Sequence, residues 1–245
     1  MKLRILIAND DGIYSPGLHA LARIASRFGD VRIVAPDAEQ SSMGQAITSS
    51  RPLRYHRALI QDFDAYRVNG TPSDCVLLGS SLWENVDLVL SGINLGLNVG
   101  NSCWHSGTLA AAKQACLLGL RGIALSLPVT ENTDPSFSEV EPYVEKVLEL
   151  LIPKIDLRLV NVNFPAHPRG ITWTSQSVRH YDGKVVPQKD PMGRQHYWFT
   201  VTPLEMAEEG TDRWAVENGL VSITPLRLDL TDEKDLAHAR SQDPL

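Results

Sequence analysis

The sequence predicts an α/β fold built around a mostly parallel sheet, with a β-rich arm at its C-terminal end. Short, nearly continuous apolar runs at residues 3–7, 31–35, 86–90, 122–127 and 157–162 have the character of strands buried on both faces. Capping residues and apolar positions at helical spacing fall between several of these runs, as βα repeats require. After Asn163 the alternation gives way to β-like segments separated by Gly/Pro turns. At 245 residues the chain suits one large α/β domain or two small ones. The expected organisation is a single domain, 1–245, with an α/β core over 1–164 and the arm over 165–245.

The first apolar run, Leu3-Arg4-Ile5-Leu6-Ile7-Ala8, leads straight into Asn9-Asp10-Asp11-Gly12. Asn and Asp disfavour a continued strand, and Gly12 allows a tight turn. Ser15-Pro16 then supplies an N-cap and a first-turn proline for a helix carrying Leu18, Leu21, Ala25 and Phe28 on its apolar side. Ligands of open α/β sheets bind at the carboxyl ends of strands, and this is such an end. Two adjacent carboxylates repel one another unless a cation or a shared proton relieves them. Taken alone, the turn answers equally to a metal site and to a solvated capping loop.

The second run ends at Pro36-Asp37 and is followed by Glu39-Gln40-Ser41-Ser42-Met43-Gly44, which by itself reads as an ordinary polar loop. Residues 51–68 mix β-like and polar types and admit a hairpin. Gly70-Thr71-Pro72-Ser73-Asp74 is a turn into a helix whose apolar face is Cys75, Val76, Leu78 and Leu82. The run at 86–90 ends in Ser91-Gly92-Ile93-Asn94-Leu95-Gly96-Leu97-Asn98-Val99-Gly100-Asn101. Gly and Asn are the residues that tolerate left-handed backbone; so many together indicate an irregular binding loop. Ser106-Gly107-Thr108 opens an alanine-rich helix over 109–118, stopped by Gly119. A hydroxyl-bearing helix N-terminus seats anions. N-capping by Ser106 or Thr108 explains the same letters, and the position just after the Asn/Gly loop favours the anion seat.

The run at 122–127 is followed by a polar loop over 130–138. A helix starting near Pro142 then carries Tyr143, Val144, Val147, Leu148 and Leu151 on a core-facing stripe. The last run closes at Asn163-Phe164-Pro165. In the arm, 171–173, 196–202 and 220–224 read as strands and 211–218 as a short helix stopped by Gly219. The charged tail after about 231 is expected to be solvated or frayed.

Composition narrows the function classes. Hydrophobic content of 43% supports a real core. A net charge of −6 without a Lys/Arg run argues against a polynucleotide partner, whereas a mononucleotide needs only a cation and a few amides. Cys75, Cys103 and Cys116 lack C-x-x-C spacing and are odd in number, which disfavours a disulfide framework or a zinc cluster. No apolar run reaches membrane-spanning length, and the chain opens in a strand, not a charged leader. A cytoplasmic protein without membrane attachment is the expectation. No G-x-G-x-x-G follows the first strand, which counts against a dehydrogenase or another Rossmann-type enzyme.

Taken in order, Asn9-Asp10-Asp11-Gly12, Ala35-Pro36-Asp37 with Gln40-Ser41, Gly70-Thr71-Pro72-Ser73-Asp74-Cys75, Ser91-Gly92-Ile93-Asn94 and Ser106-Gly107-Thr108 resemble the motif series of the SurE family of survival-protein nucleotidases. Asn163-Phe164-Pro165, Tyr197-Trp198, Thr211-Asp212 and Val221-Ser222-Ile223-Thr224-Pro225-Leu226 extend the resemblance over nearly the whole chain. It implies a three-layer α/β/α, Rossmann-like core and a metal-dependent phosphomonoesterase that hydrolyses nucleoside 5′-monophosphates, with 3′-monophosphates as a further substrate. Carried over by position, it places one divalent cation per subunit on Asp10, Asp11, Ser41 and Asn94. It makes Asp10 and Asp11 catalytic, and assigns Asn98, Ser106, Gly107 and Thr108 to the phosphate. The all-oxygen donor set independently suits Mg²⁺ or Mn²⁺. Attack by a metal-polarised water, with an aspartate accepting its proton, stands beside direct attack by an aspartate. A non-catalytic nucleotide sensor with the same site is the other functional alternative.

The chain departs from the family pattern at His105, where tyrosine is common, at Met192, where arginine is common, and at Ser42 and Met43. His105 is left outside the catalytic set. The arm carries Trp173, Tyr197, Trp198, Phe199, Trp214, Val221 and Ile223. With the core sheet expected to be complete by Asn163, that apolar load and the resemblance point to a homodimer or homotetramer.

Overall fold

A computed structural model describes residues 2–60, 62–129, 137–178, 181–203 and 206–242. The first strand, β1 (Leu3–Ala8), lies inside a nine-stranded sheet, and Ile5, Leu6, Ile7 and Ala8 are wholly buried. Helix α1 (Pro16–Ala25) leads to β2 (Gly29–Pro36), parallel to β1 with Ile5 opposite Val31. Ser15 occupies the cap position of α1, but its hydroxyl makes no capping bond. Phe28 falls beyond the helix and still packs on the core.

Strands β3 (Tyr55–Ile60) and β4 (Phe63–Val68) form the hairpin that residues 51–68 admit, with β4 parallel to β2. Helix α2 (Pro72–Leu82) starts with a full capping box between Thr71 and Asp74. It carries the chain back across β1 to β5 (Leu88–Leu95), parallel to β1 on its other side. The chain leaves β1 toward β2 and leaves β5 in the opposite direction, toward β6, so the space above β1 and β5 is the sheet's topological switch point, where such folds bind ligands.

Helix α3 (Gly107–Leu117), β6 (Arg121–Leu127), α4 (Glu141–Leu151) and β7 (Leu159–Asn163) continue the repeat. Alternate residues of β1 divide the core. Ile5 and Ile7 pack with Leu18 and Leu21 of α1 and Val144 and Leu148 of α4, while Leu6 and Ala8 pack with Val76 of α2 and Ala111 of α3. Helices thus cover both faces of the sheet. Most of the polar loop expected over 130–138 lies outside the described residues.

Three expectations are corrected. β5 does not stop at Leu90. Its pairing with β6 resumes after an irregularity between Ser91 and Asn94, with Asn94 opposite Ser126, because ladder hydrogen bonds outweigh the loop preference of Gly and Asn. The sheet is also incomplete at Asn163. β8 (Gly170–Trp173) and β11 (Leu220–Leu226) extend it, β11 antiparallel to β7 and parallel to β8, since an unpaired edge at β7 would leave backbone groups unsatisfied. Finally, β9 (Tyr181–Lys189), unread in the sequence, pairs with β10 (Gln195–Pro203) as a separate antiparallel ribbon. Helix α5 (Asp212–Glu217) precedes β11, and α6 (Glu233–Gln242) forms in the charged tail with no buried residue. No helix among the described residues is long and apolar enough to cross a membrane.

The approach of α1 to β5 depends on Gly17, where a Cβ would meet the Ile93 carbonyl oxygen at 2.0 Å. Backbone on both sides leaves no side chain to yield. Gly17→Ala should therefore lower the unfolding free energy toward the upper end of the range of about 1–3 kcal/mol typical of overpacked cores, measured by urea denaturation.

Candidate active site

The acidic turn after β1 is held from three directions. The Asn9 amide donates to the Gly12 carbonyl at 2.9 Å, and the Gln40 N–H donates to the Asp10 carbonyl at 2.7 Å, bringing the loop after β2 alongside. Asp11 accepts from the Leu95 N–H at 3.3 Å, which ties the turn to the end of β5. Asp10 is 4% exposed and receives the Thr108 hydroxyl on Oδ1 at 2.6 Å. The N-terminus of α3 lies so close to Asp10 that a Cβ on Gly107 would fall 2.9 Å from Oδ2.

Burial pushes the Asp10 carboxyl above its ordinary range, against the Thr108 hydroxyl and the backbone amides of Thr108 and Gly107, which favour its charge. Burial is also the main cause of the rise at Asp11, to about 6, with the charges of Asp10 and Glu39 adding to it. Both carboxylates therefore sit where ionisation is costly without a positive partner.

A cavity of about 480 Å³ opens at this point. Asp10, Ser41, Asn94, Asn98 and Ser106 line it, so three of the four expected metal ligands and two of the expected phosphate ligands share one wall space. Asp11 joins them through its bond to Leu95, the neighbour of Asn94. The Asn94 amide nitrogen donates to Gly96 O at 2.7 Å, which leaves its carbonyl oxygen as the end available to a ligand. Ser41 donates its proton to Glu39 at 2.7 Å and keeps its lone pairs. Two carboxylates, a hydroxyl and an amide oxygen fit a hard divalent cation. Among the described residues no three His, Cys, Asp or Glu side chains group to hold a metal, so a cation here relies on the neutral oxygens as well.

The phosphate set divides by depth. Ser106 is the N-cap of α3; its oxygen accepts from Leu109 N at 3.0 Å, and its proton remains free to face the cavity. Thr108 is fully buried and directed at Asp10. Asn98 is clamped: its N–H donates to Asn163 Oδ1 at 2.8 Å and its carbonyl accepts from Asn161 and Asn163. Its side-chain amide donates to Ser126 Oγ at 2.9 Å and reaches Thr108 Oγ1 at 3.4 Å.

Several residues that line or support the cavity were not assigned to a site by the sequence reading. Leu95, Leu97, Ser102 and Phe199 line the cavity, as do Ser42 and His105, noted in the sequence only as departures. Asp212, fully buried, accepts the Gly100 N–H at 2.9 Å and both the N–H and the hydroxyl of Ser177. This bond anchors the short 3-10 turn (Gly100–Trp104) that forms one cavity wall. The Asn163 and Thr211-Asp212 motifs were the available signals for these supports.

Thr108→Val keeps volume and removes the donor to Asp10. Loss of a hydrogen bond to a buried charged group should cost about 1.5–3 kcal/mol, read by urea denaturation. If Asp10 is the metal ligand that the sequence leads one to expect, losing its orientation should lower activity about 10- to 100-fold, read as kcat in the folded protein.

Comparison with known proteins agrees with this architecture. Residues 5–183 match the family profile described as "Survival protein SurE". The chain is 46% identical to "5′-nucleotidase SurE 1" of Thermus thermophilus over 238 residues, covering 94% of this chain and 93% of that one. It is 44% identical to "5′-nucleotidase SurE" of Deinococcus radiodurans over 239 residues, covering 93% and 88%. The crystal structure of the SurE protein from Aquifex aeolicus superposes with a TM-score of 0.83 at 38% identity, covering 98% of this chain and 99% of that one. An acidic turn, an Asn-bearing strand end and a capped helix at one switch point, in a chain matched along nearly its full length, place it in the SurE family.

Proposed function

We infer that the protein is a 5′-nucleotidase, a phosphomonoesterase acting on nucleoside 5′-monophosphates at the cavity above β1 and β5. The observation that carries the reading is the adjacent pair Asp10 and Asp11, half closed in and faced by neutral oxygen donors and a helix N-terminus. Relatives named as 5′-nucleotidases support it. A 3′-monophosphate offers the same phosphoryl chemistry and is the further substrate to assay.

Asp10, Asp11, Ser41 and Asn94 are proposed to hold one Mg²⁺ or Mn²⁺. When bound, the cation supplies charge to offset the phosphoryl group and to polarise water. Asp10 is fixed in one orientation by Thr108, and Asp11 by the Leu95 amide. One of these carboxylates accepts the proton of the attacking water. Ser106 donates to a phosphoryl oxygen; Asn98 and Thr108 brace the site, and the missing Cβ of Gly107 lets the N-terminus of α3 come close to Asp10, where its backbone N–H is offered to the phosphate. Uncommitted donors aimed where charge develops stabilise a loose transition state.

EDTA should abolish phosphate release from a panel of nucleoside monophosphates, and Mg²⁺ or Mn²⁺ should restore it. Asp11→Asn should lower kcat by about 100-fold or more. In EDTA at pH 8, removing one of two crowded carboxylates relieves repulsion, so the same variant should melt about 2–4 °C higher, equivalent to about 1 kcal/mol at this length. Activity that survives EDTA would refute the site.

We further propose that the arm, 165–245, assembles subunits into a homodimer or homotetramer. Tyr197, Trp198 and Phe199 of the ribbon are each more than half exposed, and no residue of α6 is buried. Apolar surface of this kind marks a partner. The three free cysteines, two of them buried, suit a reducing, cytoplasmic setting. Light scattering at micromolar concentration should give a mass of at least two chains, and an active species of one chain would overturn the assembly.

A further inference from the structure

The cavity lining combines polar groups, among them Asp10, Ser41, Asn94 and Ser106, with the apolar Leu95, Leu97 and Phe199. Asn98, also in the lining, is held by its bonds to Ser126 and Asn163. With a phosphoryl group at Asp10, a sugar and base have to fill the remainder of the cavity, where these apolar side chains are the surfaces suited to a base. At about 480 Å³ the space is within the range of small-ligand pockets, about 300–1,000 Å³.

Phe199 is the residue that gives the cavity lining a hydrocarbon ring. It does not come from the α/β core; it projects from β10 of the separate ribbon and is 64% exposed. Alternation along β10 puts Tyr197 on the same face of the ribbon as Phe199, but Tyr197 is not among the cavity-lining residues. Phe199 lies against Gly183, diagonally across the ribbon. A Cβ there would meet the ring atoms Cζ and Cε2 at 2.5 and 2.6 Å. The missing side chain at Gly183 is what lets the ring settle against the ribbon, as aromatics do over cross-strand glycines.

We propose that Phe199 is a specificity-determining residue for nucleotides, the platform on which the base of the bound nucleoside monophosphate stacks. The proposal rests on the nucleotidase reading and identifies how that site separates nucleotides from other phosphomonoesters. Stacking needs only a π-face, which every base has, so the platform favours nucleotides over sugar phosphates without choosing strongly among bases. The larger purines cover more of the ring and bind somewhat better than pyrimidines.

The test compares AMP with ribose 5-phosphate, which shares the phosphate and sugar but lacks a base. Their affinities are read as competition against turnover of one reporter phosphomonoester by the full-length protein, and AMP hydrolysis is measured directly. Phe199→Leu keeps an apolar side chain and removes the π-face; Phe199→Trp keeps a face. The preference for AMP over ribose 5-phosphate should fall about tenfold in Phe199→Leu and be retained in Phe199→Trp. Gly183→Ala, which displaces the ring, should lower it partway. Light scattering of each variant controls for changes in assembly. If AMP is hydrolysed and the preference is unchanged in Phe199→Leu, the platform is overturned while the nucleotidase reading stands. If no nucleoside monophosphate is hydrolysed by the parent protein, both fail.

Discussion

The site depends on one contact between residues 98 positions apart, the Thr108 hydroxyl on the Asp10 carboxylate. Each side needs the other. Asp10 is buried at the end of the central strand, where an ionised carboxylate without donors is costly. The first turn of α3 is also buried and brings unpaired N–H groups with it. Setting the carboxylate against that turn satisfies both, and the absence of a Cβ at Gly107 permits the approach. A helix N-terminus that the chain might have offered wholly to a substrate anion is partly occupied by an anion of its own. That arrangement fixes Asp10 while leaving Ser106 at the cavity wall.

Around this contact the fold works as a series of braces. β1 and β5 present their carboxyl ends side by side, and the Leu95 amide reaches back to Asp11. Asn98 is held by Asn161, Asn163 and Ser126, from β7 and β6. The turn that follows is held by Asp212, from the far end of the chain. Polar networks of this kind are worth their burial only when nearly every group is satisfied. Here the network makes the loop after β5 rigid where its Gly and Asn content would leave it adaptable. The C-terminal third is therefore more than an appendage: β8 and β11 complete the sheet, and Asp212 positions a cavity wall.

The parts legible in the sequence are those written in local chemistry. The strand into Asn9-Asp10-Asp11-Gly12, the turn into α2 and the Ser106 cap carry their signals within a few residues, because caps and turns are satisfied by near neighbours. The ordered motifs, each weak alone, led to the family. Asn94, by contrast, reads as loop from its Gly and Asn neighbours, yet pairing with β6 keeps it in a strand. β9 is invisible as a strand because Gly183 and Pro187 break its pattern, and only its ladder with β10 defines it.

The sequence by itself determined the α/β class, the main buried strands and the oxygen-rich character of the candidate site, since hydrophobic periodicity and donor chemistry are properties of the residues. The tertiary structure alone decided that Thr108 faces Asp10, that residues after Asn163 extend the sheet, and that Phe199 reaches the cavity. Each of these is a pairing between distant segments. Its free energy comes from burial and hydrogen bonds that exist only once both segments are in place, so no stretch read alone contains it.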